Sequence, residues 1–133
     1  MGYPTQYRYT KDHEWIETKG DTATIGITDY AQHELGDVVF VELPAAGARL
    51  EAGKTFSSVE SVKAVSEIYA PASGQVVEAN AVLQNKPETI NSDPHGGGWL
   101  VKVKLANPAE VNSLMDAAAY EAYIEEKKKE ASA

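Results

Sequence analysis

Cysteine is absent from this chain, which excludes disulfide frameworks, thiolate metal sites, cysteine nucleophiles and redox chemistry by side-chain sulfur. Positive charge is scarce: 12 Lys plus Arg face 20 Asp plus Glu, for a formal net charge of −8 at pH 7. A surface of that sign repels phosphate backbones and anionic lipid, and the one basic run, Lys127 to Lys129, lies near the C-terminus. Nucleic acid and membranes are therefore excluded as expected partners. No run of 18 apolar residues occurs, and residues 1–10 have neither an apolar signal core nor an Arg-rich amphipathic pattern. The expectation is a cytoplasmic protein.

What is present is an ordinary globular composition, 133 residues with 43% apolar and 24% charged. One domain over 1–133 is expected, with a β-rich core at about 7–105 and a helical segment at about 107–130. Turn residues punctuate the first hundred positions, at Gly20, Gly36-Asp37, Pro44 to Gly47, Gly53, Pro71 to Gly74, Asn80, Pro87 and Gly96 to Gly98. Short strands are predicted between them, at 14–18, 22–27, 38–43 and 99–105. Strict alternation in the last puts Trp99, Val101, Val103 and Leu105 on a core face.

Two regions read as helical. Residues 28–35 carry a cap at the start and Gly36 as a stop. Asn107-Pro108 starts a short helix over 109–115, and Asp116 caps a second whose Tyr120, Tyr123 and Ile124 form the buried stripe.

An internal echo organises the β region. Pro44 to Gly53 aligns without gaps on Pro71 to Asn80, 27 residues on, with five of ten positions identical. Two copies are too few for a solenoid, so two similar β-halves about a pseudo-twofold axis are expected, giving a small sandwich or flattened barrel. The midpoint between the copies is a hairpin near 61–63, which offers Lys63 at its tip. A lone lysine in a turn is ordinarily a solvated charge.

The surrounding motifs change that reading. Glu60-Ser61-Val62-Lys63-Ala64 between quasi-repeated halves resembles the swinging-arm site of lipoyl domains. His13-Glu14-Trp15, Ile25 to Asp29, Ala31-Gln32, Leu35 to Pro44, Val59 to Ala64, Ile90-Asn91 followed by Pro94, and Gly98-Trp99 together resemble the H protein family of the glycine cleavage system. The likeness spans nearly the whole chain. It implies a mainly β, lipoyl-domain-like barrel-sandwich hybrid with C-terminal helices, and a monomeric carrier rather than an enzyme.

The same resemblance implies lipoate in amide linkage to Lys63, placed there by lipoate-attaching enzymes. The implied partners are glycine decarboxylase (the P protein), a folate-dependent aminomethyltransferase (the T protein) and dihydrolipoamide dehydrogenase (the L protein). Ser61, Val62 and Ala64 would leave room for the modifying enzyme, and Glu60 would help it find the site. Glu14 and Glu67 would hold the methylamine-loaded arm in a cleft completed by Asp12 and Leu35. Many members carry histidine at the position of Glu34, where this chain has His33 one residue earlier. His95 stands where tyrosine is common, and the glycines after it imply a loose loop.

Other readings carry less. In a strand, Asp12, His13 and Glu14 would point to alternate faces and converge only through a special turn. His13, His33 and His95 lack metal-ligand spacing. Tyr7, Tyr9 and Trp15 read as core or edge packing. A biotin site usually has Met on both sides of its lysine, whereas Val62 and Ala64 flank this one. A generic lipoyl or biotinyl domain, or a scaffold that relays lipoyl groups, is the alternative, and a hydrolase finds no glycine elbow.

Overall fold

Alternation over 101–105 buries Val101, Val103 and Leu105 and leaves Lys102 and Lys104 in water, as a half-buried strand requires. The computed structural model describes residues 3–132. The strands are β1 (Arg8–Tyr9), β2 (Glu14–Lys19), β3 (Thr22–Ile27), β4 (Val38–Glu42), β5 (Arg49–Leu50), β6 (Thr55–Ser61), β7 (Val65–Tyr69), β8 (Gly74–Ala79) and β9 (Val101–Leu105). They form two antiparallel sheets, in the orders β1-β2-β3-β9-β8-β5 and β4-β6-β7. Among the described residues no strand ladder closes the two sheets into a barrel.

One long bent hairpin ties the sheets together. β6 pairs with β7 from Glu60↔Val65 to Thr55↔Tyr69. The same two chain segments keep meeting beyond the sheet, where Gly53 N–H donates to Ala70 O and Ala70 N–H to Lys54 O, both at 2.9 Å. They then pair again as β5 and β8 in the larger sheet, Leu50↔Gly74 and Arg49↔Gln75. The echo seen in sequence is thus a corner made twice. Its segments run side by side, and β4 and β7, also 27 residues apart, flank β6.

Helix α1 (Asp29–Leu35) starts and stops as its sequence dictates. Thr28 Oγ1 accepts from Ala31 N–H at 3.2 Å, and Gly36 ends the helix at φ 82°, a conformation that costs glycine nothing. Short helices α2 (Val82–Asn85) and α3 (Thr89–Ser92) follow β8. Asn107 and Pro108 do start a helix, but Pro108–Ser113 is a 3-10 turn rather than an α-helix. Asp116 Oδ1 accepts from Ala119 N–H at 2.9 Å and caps α4 (Ala117–Ser132), which buries Tyr120 and Ile124 and half-buries Tyr123.

Two expectations need correction. Trp99 does not open the last strand: it is half-buried before β9, with Lys102 Nζ 4.9 Å over its ring, and Leu100 takes the buried position instead. The loop at Gly96 to Gly98 is not loose. Asp93 ties it down, its carbonyl accepting from Gly98 N–H at 2.8 Å and its carboxylate from Gly97 N–H at 2.8 Å.

Packing supplies three apolar clusters, one inside the large sheet, one between α1 and the small sheet, and an aromatic one. In the last, Tyr7 stacks on Trp15 at 4.5 Å and Tyr9 on Tyr120 at 4.7 Å. Gly26 pairs across from Trp15, and a methyl added there would lie 2.6 Å from the indole, so glycine makes room for the ring.

Candidate functional site

Antiparallel pairing carries β6 and β7 outward to a two-residue tip, Val62 and Lys63, both exposed. Ser61 closes the turn from beneath. Its N–H donates to Ala64 O at 2.8 Å, and its buried Oγ accepts from Ala64 N–H at 3.1 Å and Lys63 N–H at 3.3 Å. A short hydroxyl side chain at this position suits an ST-type turn, so Ser61 has a structural reason beyond its small size. The tip is also pinned laterally, Val62 N–H donating to Asp37 O at 3.0 Å. The Lys63 side chain lies over the end of α1, with Cε 3.6 Å from where a Cβ on Gly36 would stand. Among the described residues Lys63 makes no ion pair. The arrangement presents one primary amine, fixed at its base and free at its end.

Glu14 is the second unusual group, a carboxylate that is 1% exposed. Thr10 Oγ1 donates to Oε1 at 2.6 Å, and Tyr69 N–H, on the unpaired edge of β7, donates to Oε2 at 3.3 Å. Burial pushes its pKa up to about 7 against those hydrogen bonds, which stabilise the ionised form. The special turn needed to bring Asp12 and Glu14 together exists: His13 takes φ 71°, rare outside glycine, and both carboxylates line one cavity of about 420 Å³. Glu110, held by Ser73 N–H at 2.9 Å, lines it too.

The other two residues expected at the cleft lie outside that cavity. Leu35 is a core residue of the α1 cluster, directly before the Gly36 over which Lys63 lies. Glu67 is exposed on the outer face of β7, across from Ser58. A larger cavity of about 730 Å³ opens at the base of the bent hairpin among Arg49, Lys54 and Lys104, far along the hairpin from its tip.

The histidines do not converge. His13 Nδ1 lies 2.8 Å from Tyr120 Oη, which in turn meets Thr28 Oγ1 at 2.7 Å, and burial holds the imidazole pKa below its ordinary value. His95 Nε2 accepts from Asp29 N–H at 3.1 Å, and burial lowers its pKa as well. His33 is exposed beside Asp29 at 3.4 Å. Among the described residues no three His, Asp or Glu side chains gather as metal ligands would.

Two features around the tip have no local sequence signal. Asn91 brackets the ground on which the tip rests: its Oδ1 accepts from Val38 N–H at 2.9 Å, and its Nδ2 donates to Gly36 O at 2.9 Å and Gln32 Oε1 at 3.0 Å. A β-bulge between Val38 and Phe40 turns both Val39 and Phe40 to solvent, at 49% and 52% exposure.

The profile of a family described as glycine cleavage H-protein matches residues 7–127. The glycine cleavage system H protein of Acidobacterium capsulatum is 58% identical over 126 residues, covering 95% of this chain and 97% of that one. That of Bacteroides fragilis is 49% identical over 124 residues, covering 93% and 98%. A crystal structure of a glycine cleavage system H protein from Mycobacterium marinum is similar at TM-score 0.83 and 43% identity, over 90% of this chain and 97% of the other.

Proposed function

The chain belongs to the glycine cleavage H-protein family, and from that premise we propose that it works through lipoate held on Lys63. A member of this family is a carrier component of glycine cleavage and not a catalyst. Held in amide linkage by Lys63, lipoate would supply a disulfide able to take up the aminomethyl group of glycine, and the enzymes served would be the decarboxylase, the aminomethyltransferase and dihydrolipoamide dehydrogenase. The chain's own residues bind, aim and shelter. Chemistry at the tip is limited to acylation, in which the Lys63 amine loses a proton and gains the acyl carbon as the donor's leaving group departs.

The observation that carries this reading is a solvent-facing lysine at the tip of a hairpin whose turn and flank are both hydrogen-bonded. Amide formation removes its charge, and among the described residues no carboxylate loses an ion-pair partner in consequence. For the loaded arm we assign a path over Gly36 and Leu35 toward Glu14, with Asp12 and Glu67 flanking the approach. An ammonium end would donate a charge-assisted hydrogen bond to the Glu14 carboxylate, which the empty arm cannot do. That difference, about 1.5 to 3 kcal/mol, favours docking of the loaded form alone by roughly tenfold or more. The chain would do this as a monomer in the cytoplasm.

Intact mass and peptide mapping after incubation with a lipoate-attaching enzyme test the assignment. The expected result is one lipoyl adduct, confined to the peptide containing Lys63. Transfer of the methylamine carbon of glycine onto that adduct then separates a glycine carrier from a scaffold that only relays lipoyl groups. An adduct elsewhere, or none, removes the reading.

A further inference from the structure

The small sheet turns an unusual face to solvent. Register aligns Phe40, Glu60 and Val65 in one row across β4, β6 and β7, and Glu42, Ser58 and Glu67 in the next row down. Phe40 is 52% and Val65 is 66% exposed, and Val39 and Val62 beside them are 49% and 69% exposed. Four of the six large apolar side chains that stand exposed among the described residues are therefore gathered around Lys63. The bulge in β4 is what adds Val39 to Phe40 on this face, since a regular strand would have turned one of them inward. Sheet surfaces open to water do not normally collect such side chains, and an apolar patch rimmed by charge marks an interaction site.

We propose that this face is the docking surface for the enzyme that acylates Lys63, and that the surface it accepts is apolar at its centre and basic at its rim. The proposal rests on the reading of Lys63 as the lipoate site. Reach decides the occupant. An unmodified lysine extends only roughly 6 Å from its Cα, so an enzyme acylating it must bring its active site onto the hairpin. An enzyme acting on the far end of a completed arm has no such need. A specific interface covers roughly 800 Å² on each partner, a footprint of about 16 Å radius. Adjacent strands lie about 4.8 Å apart, so a footprint centred on the tip includes the whole Phe40-Glu60-Val65 row. Charge complementarity sets the partner's chemistry: the carboxylates on this face are Glu42, Glu60 and Glu67, and Lys63 is consumed by the reaction.

The test measures kcat/KM for enzymatic lipoylation of the full-length unmodified protein, read by intact mass. Phe40→Ser and Val65→Ser should each lower it about tenfold, as loss of a central apolar anchor does. Glu60→Lys should lower it several-fold and flatten its dependence on salt. Val77→Ser, an equally exposed valine on β8, should stay within about twofold of wild type. A small amine-reactive ester should acylate Lys63 at the same rate in every variant, because it needs no docking surface. Thermal melting identifies any variant that fails to fold, and having three separate patch variants keeps the question decidable. Lipoylation of all three at the wild-type rate overturns the proposal, as does an equal loss of reactivity toward the small ester, which would place the effect in the lysine itself. If wild-type protein acquires no lipoyl on Lys63, the functional reading fails first, which is a different result from indifferent variants on a modified lysine.

Discussion

The hairpin tip and the aromatic cluster solve opposite problems with the same polypeptide. At the tip, Val62, Lys63 and Ala64 are exposed, and order comes from a few hydrogen bonds to Ser61 and Asp37. In the cluster, Trp15, Tyr9 and Tyr120 are fully buried, and order comes from ring packing and polar tips that all find partners, such as Trp15 Nε1–H to Pro94 O at 2.9 Å. Apolar burial stabilises the fold and is intolerant of change, whereas an exposed turn held by its backbone can lose its central side chain at little cost. The lesson is that stability and function are lodged in different residues, so mutations should separate them.

The largest separation is expected at Lys63. Lys63→Arg keeps charge and length but lacks an acylable amine, so lipoylation should fall from complete to none by mass while stability in denaturant unfolding holds to within about 0.5 kcal/mol. Trp15→Ala should do the reverse. It should destabilise by about 3 to 5 kcal/mol in denaturant unfolding, while the folded fraction is still acylated at Lys63 by a small ester at the wild-type rate.

Glu14 blurs the division, since it is buried like the cluster and assigned to function like the tip. Its folded pKa of about 7 lies above the ordinary 4.5, so between those values the folded state holds a proton that the unfolded chain has released. Stability should therefore fall as pH rises through that window and level off above it. From pH 5 to 8, wild type should lose about 2.5 kcal/mol relative to Glu14→Gln, measured by urea unfolding at each pH. Glu14→Ala should also speed formaldehyde release from methylamine-loaded protein without affecting acylation of Lys63. The smallest effect should be electrostatic. With a net charge of −8, association with the enzymes it visits should slow several-fold from low to physiological ionic strength, and a flat dependence would rule out steering.

Local chemistry was legible in the sequence and long-range bracing was not. The strands at 14–19, 22–27 and 38–42 and the capped α1 follow from alternation, turn residues and a Thr–Gly pair, all readable within a few positions. Lys63 at a tip followed from the echo, because two copies define a midpoint. Asn91 belongs to a motif of the family resemblance, but no period or spacing foretells that it reaches Val38, Gln32 and Gly36 across more than fifty residues. The φ of His13 depends on a turn that only the finished fold holds, with His13 N–H donating to Thr10 O at 3.1 Å. The same holds for Asp93, whose bonds to Gly97 and Gly98 tie a run of three glycines that by composition alone reads as slack. The bulge at Val39 has no sequence mark, because a β-branched run reads as regular strand whichever way its side chains face.

The bond from Val62 N–H to Asp37 O has a kinetic meaning. It joins the tip to ground that Asn91 fixes, so an arm grown on Lys63 has a stationary pivot and not a drifting one. A short flexible tether on such a pivot keeps its end at an effective concentration of millimolar order within a bounded volume. An enzyme seated on the same framework would then meet the end of such an arm at a fixed range, and once it is seated the time to find that end would depend on the reach of the arm and very little on how much carrier is present.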